Sequence, residues 1–86
     1  MEYDKNLKNR LKRVEGQIKG VLSMMEQSKD CKEVITQLSA ARSAIDRTMG
    51  LIVSKNLEIC VRKNMEEGES TEDVVKEAVD LLVKSR

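Results

Sequence analysis

DCKEVITQLSAARSAIDRTMGLIVSKNLEICVRKN, residues 30–64, contains no proline and a single glycine, and its apolar side chains recur at Val34, Leu38, Ala41, Ile45, Met49, Ile52 and Ile59. Steps of three, four and seven place them along one side of an α-helix. Asp30 followed three positions later by Glu33 reads as a capping box, so the helix is expected to start at Cys31 and run unbroken to about Asn64. At 1.5 Å per residue such a helix is roughly 50 Å long, more than a chain of this size can cover with its own residues. A second subunit is implied.

Upstream, Leu7, Leu11, Val14, Ile18, Val21 and Met25 alternate steps of four and three. This coiled-coil-like seam predicts a first helix over about residues 4–27, ended by Ser28-Lys29-Asp30. Downstream, Glu66-Glu67-Gly68-Glu69 forms an acidic link. Ser70 and Asp73 then cap a short third helix over about 71–85, whose apolar side is Val74, Val75, Ala78, Leu81 and Leu82. The expected fold class is all-α: a three-helix protomer with a long second helix, in one domain spanning residues 1–86. The short linker makes the first two helices an antiparallel hairpin. Two copies of the long helix, packed antiparallel, close the assembly as a symmetric dimer.

Composition agrees with this reading and removes most enzyme chemistry. The 86 residues are 36% charged and 40% hydrophobic, with one aromatic residue, Tyr3, and neither Pro nor His. This length rules out a second domain. Without His there is no Ser-His or Cys-His nucleophile pair and no His-ligated metal site, so no enzyme and no cofactor is expected. The longest apolar run, 50–53, is far short of the roughly 20 residues of a membrane span, and the N-terminus lacks a signal-peptide layout, so the expected location is cytoplasmic and away from the membrane.

The net charge of +1 conceals an asymmetry. Residues 1–20 carry six bases against three acids, whereas residues 65–86 carry three bases against seven acids. The first helix is therefore the candidate polyanion surface. On a helical wheel Asn6, Arg10, Arg13, Gln17 and Gly20 form one stripe, joining two guanidiniums to an amide, a combination that grips phosphates and reads base edges. Lys8, Lys12, Glu15 and Lys19 form a second stripe on the opposite flank of the apolar seam. Gly16 and Gly20 leave room for another helix or a nucleic-acid backbone.

Cys31 and Cys60 are 29 positions apart on the long helix. At about 100° per residue the accumulated turn is about 2900°, some 20° past eight full turns, so both thiols share a face. Their axial separation of roughly 43 Å forbids an intrachain disulfide. Antiparallel pairing about a two-fold near Ile45 and Asp46 brings Cys31 of one chain level with Cys60 of the other, with Asn56 one turn before Cys60 as the third residue of each site. Cys31 begins a helix between Lys29 and Lys32, where the helix dipole and both cations attract an anion and Asp30 opposes them, which makes it the expected nucleophile. A dithiol of this kind is redox-active or metal-binding more often than a structural staple; two inert apolar fillers are the alternative.

The run Arg10-Leu11-Lys12-Arg13-Val14-Glu15-Gly16-Gln17-Ile18-Lys19-Gly20, then Cys31, Val34-Ile35-Thr36-Gln37-Leu38-Ser39-Ala40 and Asn56-Leu57-Glu58-Ile59-Cys60, resembles the copper-sensing operon repressor (CsoR) family over nearly the whole chain. The resemblance implies a homodimeric helical repressor, usually a tetramer made of two dimers, that leaves its double-stranded operator DNA when its sensor site is filled. It supports Arg13 and Gln17 as operator contacts beside Arg10, and adds Arg42 on the second helix.

Copper sensors of this family hold Cu(I) with Cys, His and Cys. Here the outer positions are Cys31 and Cys60, but Asn56 stands at the His position and Asp30 where a Tyr precedes the first Cys. Two cysteines without the His are similar to the persulfide-sensing branch, the CsoR-like sulfurtransferase repressor (CstR), which responds to persulfide or polysulfide by linking the two cysteines across subunits. The expected function is thus a reactive-sulfur-sensing repressor of sulfide-detoxification genes. Its alternatives are a Cu(I)-responsive repressor using the same two thiolates and a structural oligomer with inert thiols.

Overall fold

The computed structural model describes residues 2–85 and contains three helices: α1 (Lys5–Glu26), α2 (Cys31–Glu66) and α3 (Glu72–Lys84). Each boundary lies within two residues of the sequence expectation, and α2 continues through Gly50 without interruption. The local reasons are visible at the ends. Asp4 caps α1, its Oδ1 accepting from the Leu7 N–H at 2.9 Å. Asp30 caps α2, but its carboxylate takes the N–H of Lys32, at 3.2 Å, rather than that of Glu33 as a capping box would have it. At α3 the cap position is Thr71, which makes no side-chain bond, and the Ser70 hydroxyl one residue earlier accepts the Glu72 N–H at 3.3 Å.

Both long helices end in the same hydrogen-bond motif. After α1, the Lys29 N–H donates to Met24 O at 2.9 Å and the Ser28 N–H to Met25 O at 3.1 Å; after α2, Glu69 donates to Asn64 O at 2.8 Å and Gly68 to Met65 O at 3.2 Å. These are Schellman closures, which demand a left-handed residue at the turn. Gly68 takes it at φ 71°, as glycine does without steric cost, whereas Ser28 takes it at φ 56° against the Cβ penalty.

The chain divides into two compact units, one of residues 2–48 and one of residues 49 onward. In the first, α1 folds back along the first half of α2. Leu7, Val14 and Val21, seven residues apart on α1, are buried there with Ala41 and Thr48 of α2. Small residues at Ala41, Ala44 and Thr48 let the two helices approach closely, and the Thr48 hydroxyl is satisfied by donating to Ala44 O at 2.9 Å. The six-residue seam expected on α1 is therefore two rows: Leu7, Val14 and Val21 go inside, while Leu11, Ile18 and Met25 stay exposed with Leu22. On α2 a similar division leaves Ile35, Leu38 and Ile45 exposed.

In the second unit, the end of α2 and α3 bury Ala78, with Leu57, Cys60, Val61, Asn64 and Val74 half-buried. The Asn64 amide donates to Ser70 O at 2.9 Å and ties the interhelical turn to α2. Of the side expected for α3, Val75, Leu81 and Leu82 are exposed. Among the described residues no helix is long and apolar enough to cross a membrane.

Candidate functional site

The first candidate surface is the α1 stripe. Arg10, Arg13 and Gln17 lie at successive turns and, with Val14, Ala44 and Thr48, line a cleft of about 60 Å³ in the residue 2–48 unit. The two arginines are exposed, so their guanidiniums are available to a polyanion. Gln17 is half-buried, and its Oε1 has no hydrogen-bond partner. A buried acceptor left without a donor costs about 1–3 kcal/mol, which an incoming donor would recover. Sequence reasoning missed Ala44 and Thr48 as the floor of this cleft; the signal that could have found them is the row of small residues at Ala41, Ala44 and Thr48.

Arg42 is not part of that cluster. It lines a separate shallow cleft on α2 with Ile35, Leu38 and Ser39. Helical spacing puts it about 120° or more around α2 from Ala44 and Thr48, which face α1. The structure thus joins three of the four expected operator-contacting residues and leaves the fourth on a different face.

The second candidate surface carries the thiols. Cys31 and Cys60 are both free; Cys31 is exposed and is the first residue of α2, where the N–H groups of a helix's first turn have no intrahelical acceptors. Cys60 is half-buried in the residue 49–85 unit, and its Sγ–H points at Asn56 Oδ1 at 3.9 Å, a weak contact between side chains one turn apart. Asn56 and Cys60 therefore share a face, as the spacing predicted. Among the described residues, no group of three or more His, Cys, Asp or Glu side chains gathers within the chain.

The donors allow a test of which metal they fit. Two thiolates suit Cu(I), which accepts linear coordination by soft sulfur; an amide oxygen at Asn56 is a hard donor and a poor third ligand for it. A nitrogen-rich nickel site does not fit a chain without His.

A three-helix protein with a basic α1 face and two free thiols on a long α2 has the parts of a ligand-responsive DNA-binding regulator. Comparison with known proteins narrows this class: the family model described as "metal-sensitive transcriptional repressor" matches residues 3–84, and the chain belongs to that family. Its members are transcriptional repressors and not enzymes. The chain is 73% identical over 63 residues to YrkD of Bacillus subtilis (strain 168), a protein of uncharacterised function, covering 73% of this chain and 100% of that one. Among solved structures it resembles the nickel-responsive transcriptional regulator InrS, with TM-score 0.81, 37% identity, and coverage of 94% of this chain and 93% of that one. It also resembles the copper-sensing repressor CsoR with Cu(I) from Geobacillus thermodenitrificans NG80-2, with TM-score 0.79, 31% identity, and coverage of 98% and 91%.

Proposed function

We propose that this repressor senses persulfide or polysulfide through Cys31 of one subunit and Cys60 of its partner, and releases operator DNA of sulfide-detoxification genes when the two are linked. The observation that carries the reading is the composition of the sensor face: two free cysteines, and Asn56 against Cys60 where copper sensors of the resembled pattern have His.

The chemistry balances without an added oxidant. The Cys31 thiolate attacks the sulfane sulfur of a persulfide RSSH, forming a Cys31 persulfide as the thiolate of R leaves. The partner's Cys60 thiolate then attacks the Cys31 Sγ, an S–S bond forms between subunits, and hydrosulfide departs. Two thiols are oxidised by two electrons and one sulfane sulfur is reduced to sulfide. A trisulfide forms when both cysteines are persulfidated first and one hydrosulfide leaves.

Arg10, Arg13 and Gln17 hold the operator in this reading: the guanidiniums neutralise phosphates, and the Gln17 amide finds a donor on a base edge. Arg42 is a further candidate contact on a separate face. A crosslink that staples two antiparallel α2 helices changes the relative pose of the two α1 faces in the dimer, or in a tetramer of two dimers, and so lowers operator affinity. By linkage, operator binding disfavours the crosslinked state to the same extent.

A second reading has the same thiolates binding Cu(I). It is favoured by the similarity to a CsoR with Cu(I) and by the affinity of thiolates for that ion. In it Cys31 and Cys60 supply both ligands, and Asn56 contributes little.

Intact mass spectrometry of the reduced protein, under anaerobic, non-reducing conditions before and after polysulfide, separates the readings when operator binding is followed by fluorescence anisotropy on the same samples. A covalent dimer, as a disulfide or carrying extra whole sulfur atoms, together with lost operator affinity, supports persulfide sensing. An unmodified chain mass with unchanged affinity removes it and leaves Cu(I) titration as the next experiment. Cys31→Ser should abolish the response to polysulfide while leaving operator binding intact.

A further inference from the structure

Arg42 stands among apolar neighbours on a face of α2 that the chain itself does not cover. It lines its shallow cleft with Ile35, Leu38 and Ser39, and along the same face Ile35 is 58% exposed, Leu38 36% and Ile45 37%. Asp46 follows one turn later and is also exposed. Arg and Asp four apart can pair along a helix. Among the described residues, however, the ion pair that forms is Arg62 with Glu58, and Arg42 and Asp46 are not joined to each other. An apolar stripe that carries one base and one acid on the same flank is self-complementary under a two-fold axis.

We propose that Arg42 of each chain pairs with the partner's Asp46, and that this pair fixes the register of the α2–α2 contact. The inference rests on the antiparallel dimer of the proposed function and adds the residues that choose its alignment. A two-fold between Ile45 and Asp46 sets the partner's Asp46 level with Ile45, about 4.5 Å along the axis from Arg42. In antiparallel packing equivalent flanks of the two helices lie on the same side of the seam, so the guanidinium and carboxylate face each other within the reach of an arginine side chain. Symmetry makes two such pairs straddling the axis. The same register aligns Cys31 with the partner's Cys60, whereas a slip of one turn loses both ion pairs and separates the thiols.

Cross-complementation tests this. Arg42→Glu sets a carboxylate against the partner's Asp46 at both places in the homodimer, and Asp46→Arg sets two guanidiniums together at both. Each variant should raise the dimer Kd by roughly tenfold, as like charges replace opposite ones at two places. Mixed in equal amounts with thiols reduced, the two should form a heterodimer of near-native Kd. At one place the introduced carboxylate then meets the introduced guanidinium, and at the other the remaining Arg42 meets the remaining Asp46. Native mass spectrometry separates the heterodimer from both homodimers by mass, and circular dichroism checks that each variant stays helical. Restored pairing in the mixture supports the proposal, because no role within one chain is rescued by a second chain. A mixture that associates no better than either variant overturns it, as does Arg42→Glu that loses operator affinity with dimerisation unchanged, which would make Arg42 a DNA contact. Wild-type protein that remains monomeric in sedimentation at every concentration overturns the dimer itself, a result distinct from failed complementation.

Discussion

Residues 2–48 and residues 49–85 are built from the same kinds of side chain and differ in how much of them they bury. The first half closes Leu7, Val14, Val21, Ala41 and Thr48 against one another, while the second buries Ala78. The difference lies in the small residues: Ala41, Ala44 and Thr48 let α1 settle onto α2, whereas at the end of α2 Leu57 and Val61 are only half-buried beside a 13-residue helix and Met65 stays exposed. In the proposed function the half with its own core carries the operator stripe and the exposed Cys31, and the more open half carries Cys60 beside Asn56. A DNA-reading face needs a rigid platform, and a surface that must respond to a partner keeps its apolar side chains uncovered.

This contrast can be broken at several points. The largest effect expected is on DNA: Arg13→Ala in the self-sufficient half should weaken operator binding by roughly 10- to 100-fold, with a shallower salt dependence, in anisotropy titrations at several salt concentrations. An equivalent loss from Lys76→Ala in the acidic half would erase the division of labour. Next comes packing. Val14→Ala removes buried methyl groups and should cost about 2 kcal/mol in urea unfolding, whereas Leu82→Ala, 40% exposed in the chain, should cost well under that unless a partner covers it. Equal costs would show that the second half has a core supplied by another subunit.

The two Schellman turns give a finer test. Ser28→Gly relieves a left-handed residue that bears a Cβ and should stabilise the first half by about 1 kcal/mol; Gly68→Ala should destabilise the second by about the same. Thermal unfolding of both variants would show whether the turns contribute alike in the two halves. The smallest change is expected at the surface pair: Arg62→Ala breaks a 3.2 Å contact with Glu58 between side chains 70% and 61% exposed, and should shift stability by less than about 0.5 kcal/mol.

Much of the fold could be read from residue order because its signals are local. The absence of Pro through α2, the turn residues Ser28 and Gly68, and the caps Asp4 and Asp30 act within a few positions of themselves, so helix number and boundaries were legible. The capping details were less so. Asp30 could reach the N–H of Lys32 or Glu33, and Ser70 or Thr71 could open α3, since alternatives one residue apart differ by little in energy. The candidate site was legible to the same degree: the spacing of Arg10, Arg13 and Gln17 and of Asn56 and Cys60 is helical arithmetic, and both groups share a face in the structure.

Residue order alone determined that this chain is three helices, with a basic first helix, two thiols on the second, and no histidine with which to build an imidazole metal site. Tertiary structure alone decided which of two equally apolar rows goes inside. Leu7, Val14 and Val21 meet Ala41 and Thr48, Leu11, Ile18 and Met25 stay open, and Arg42 is parted from the arginines of α1. The physical reason is that periodicity records only the direction of a side chain about its own helix axis; whether it is buried depends on which neighbouring helix can approach, and here the small side chains of α2 set that closeness.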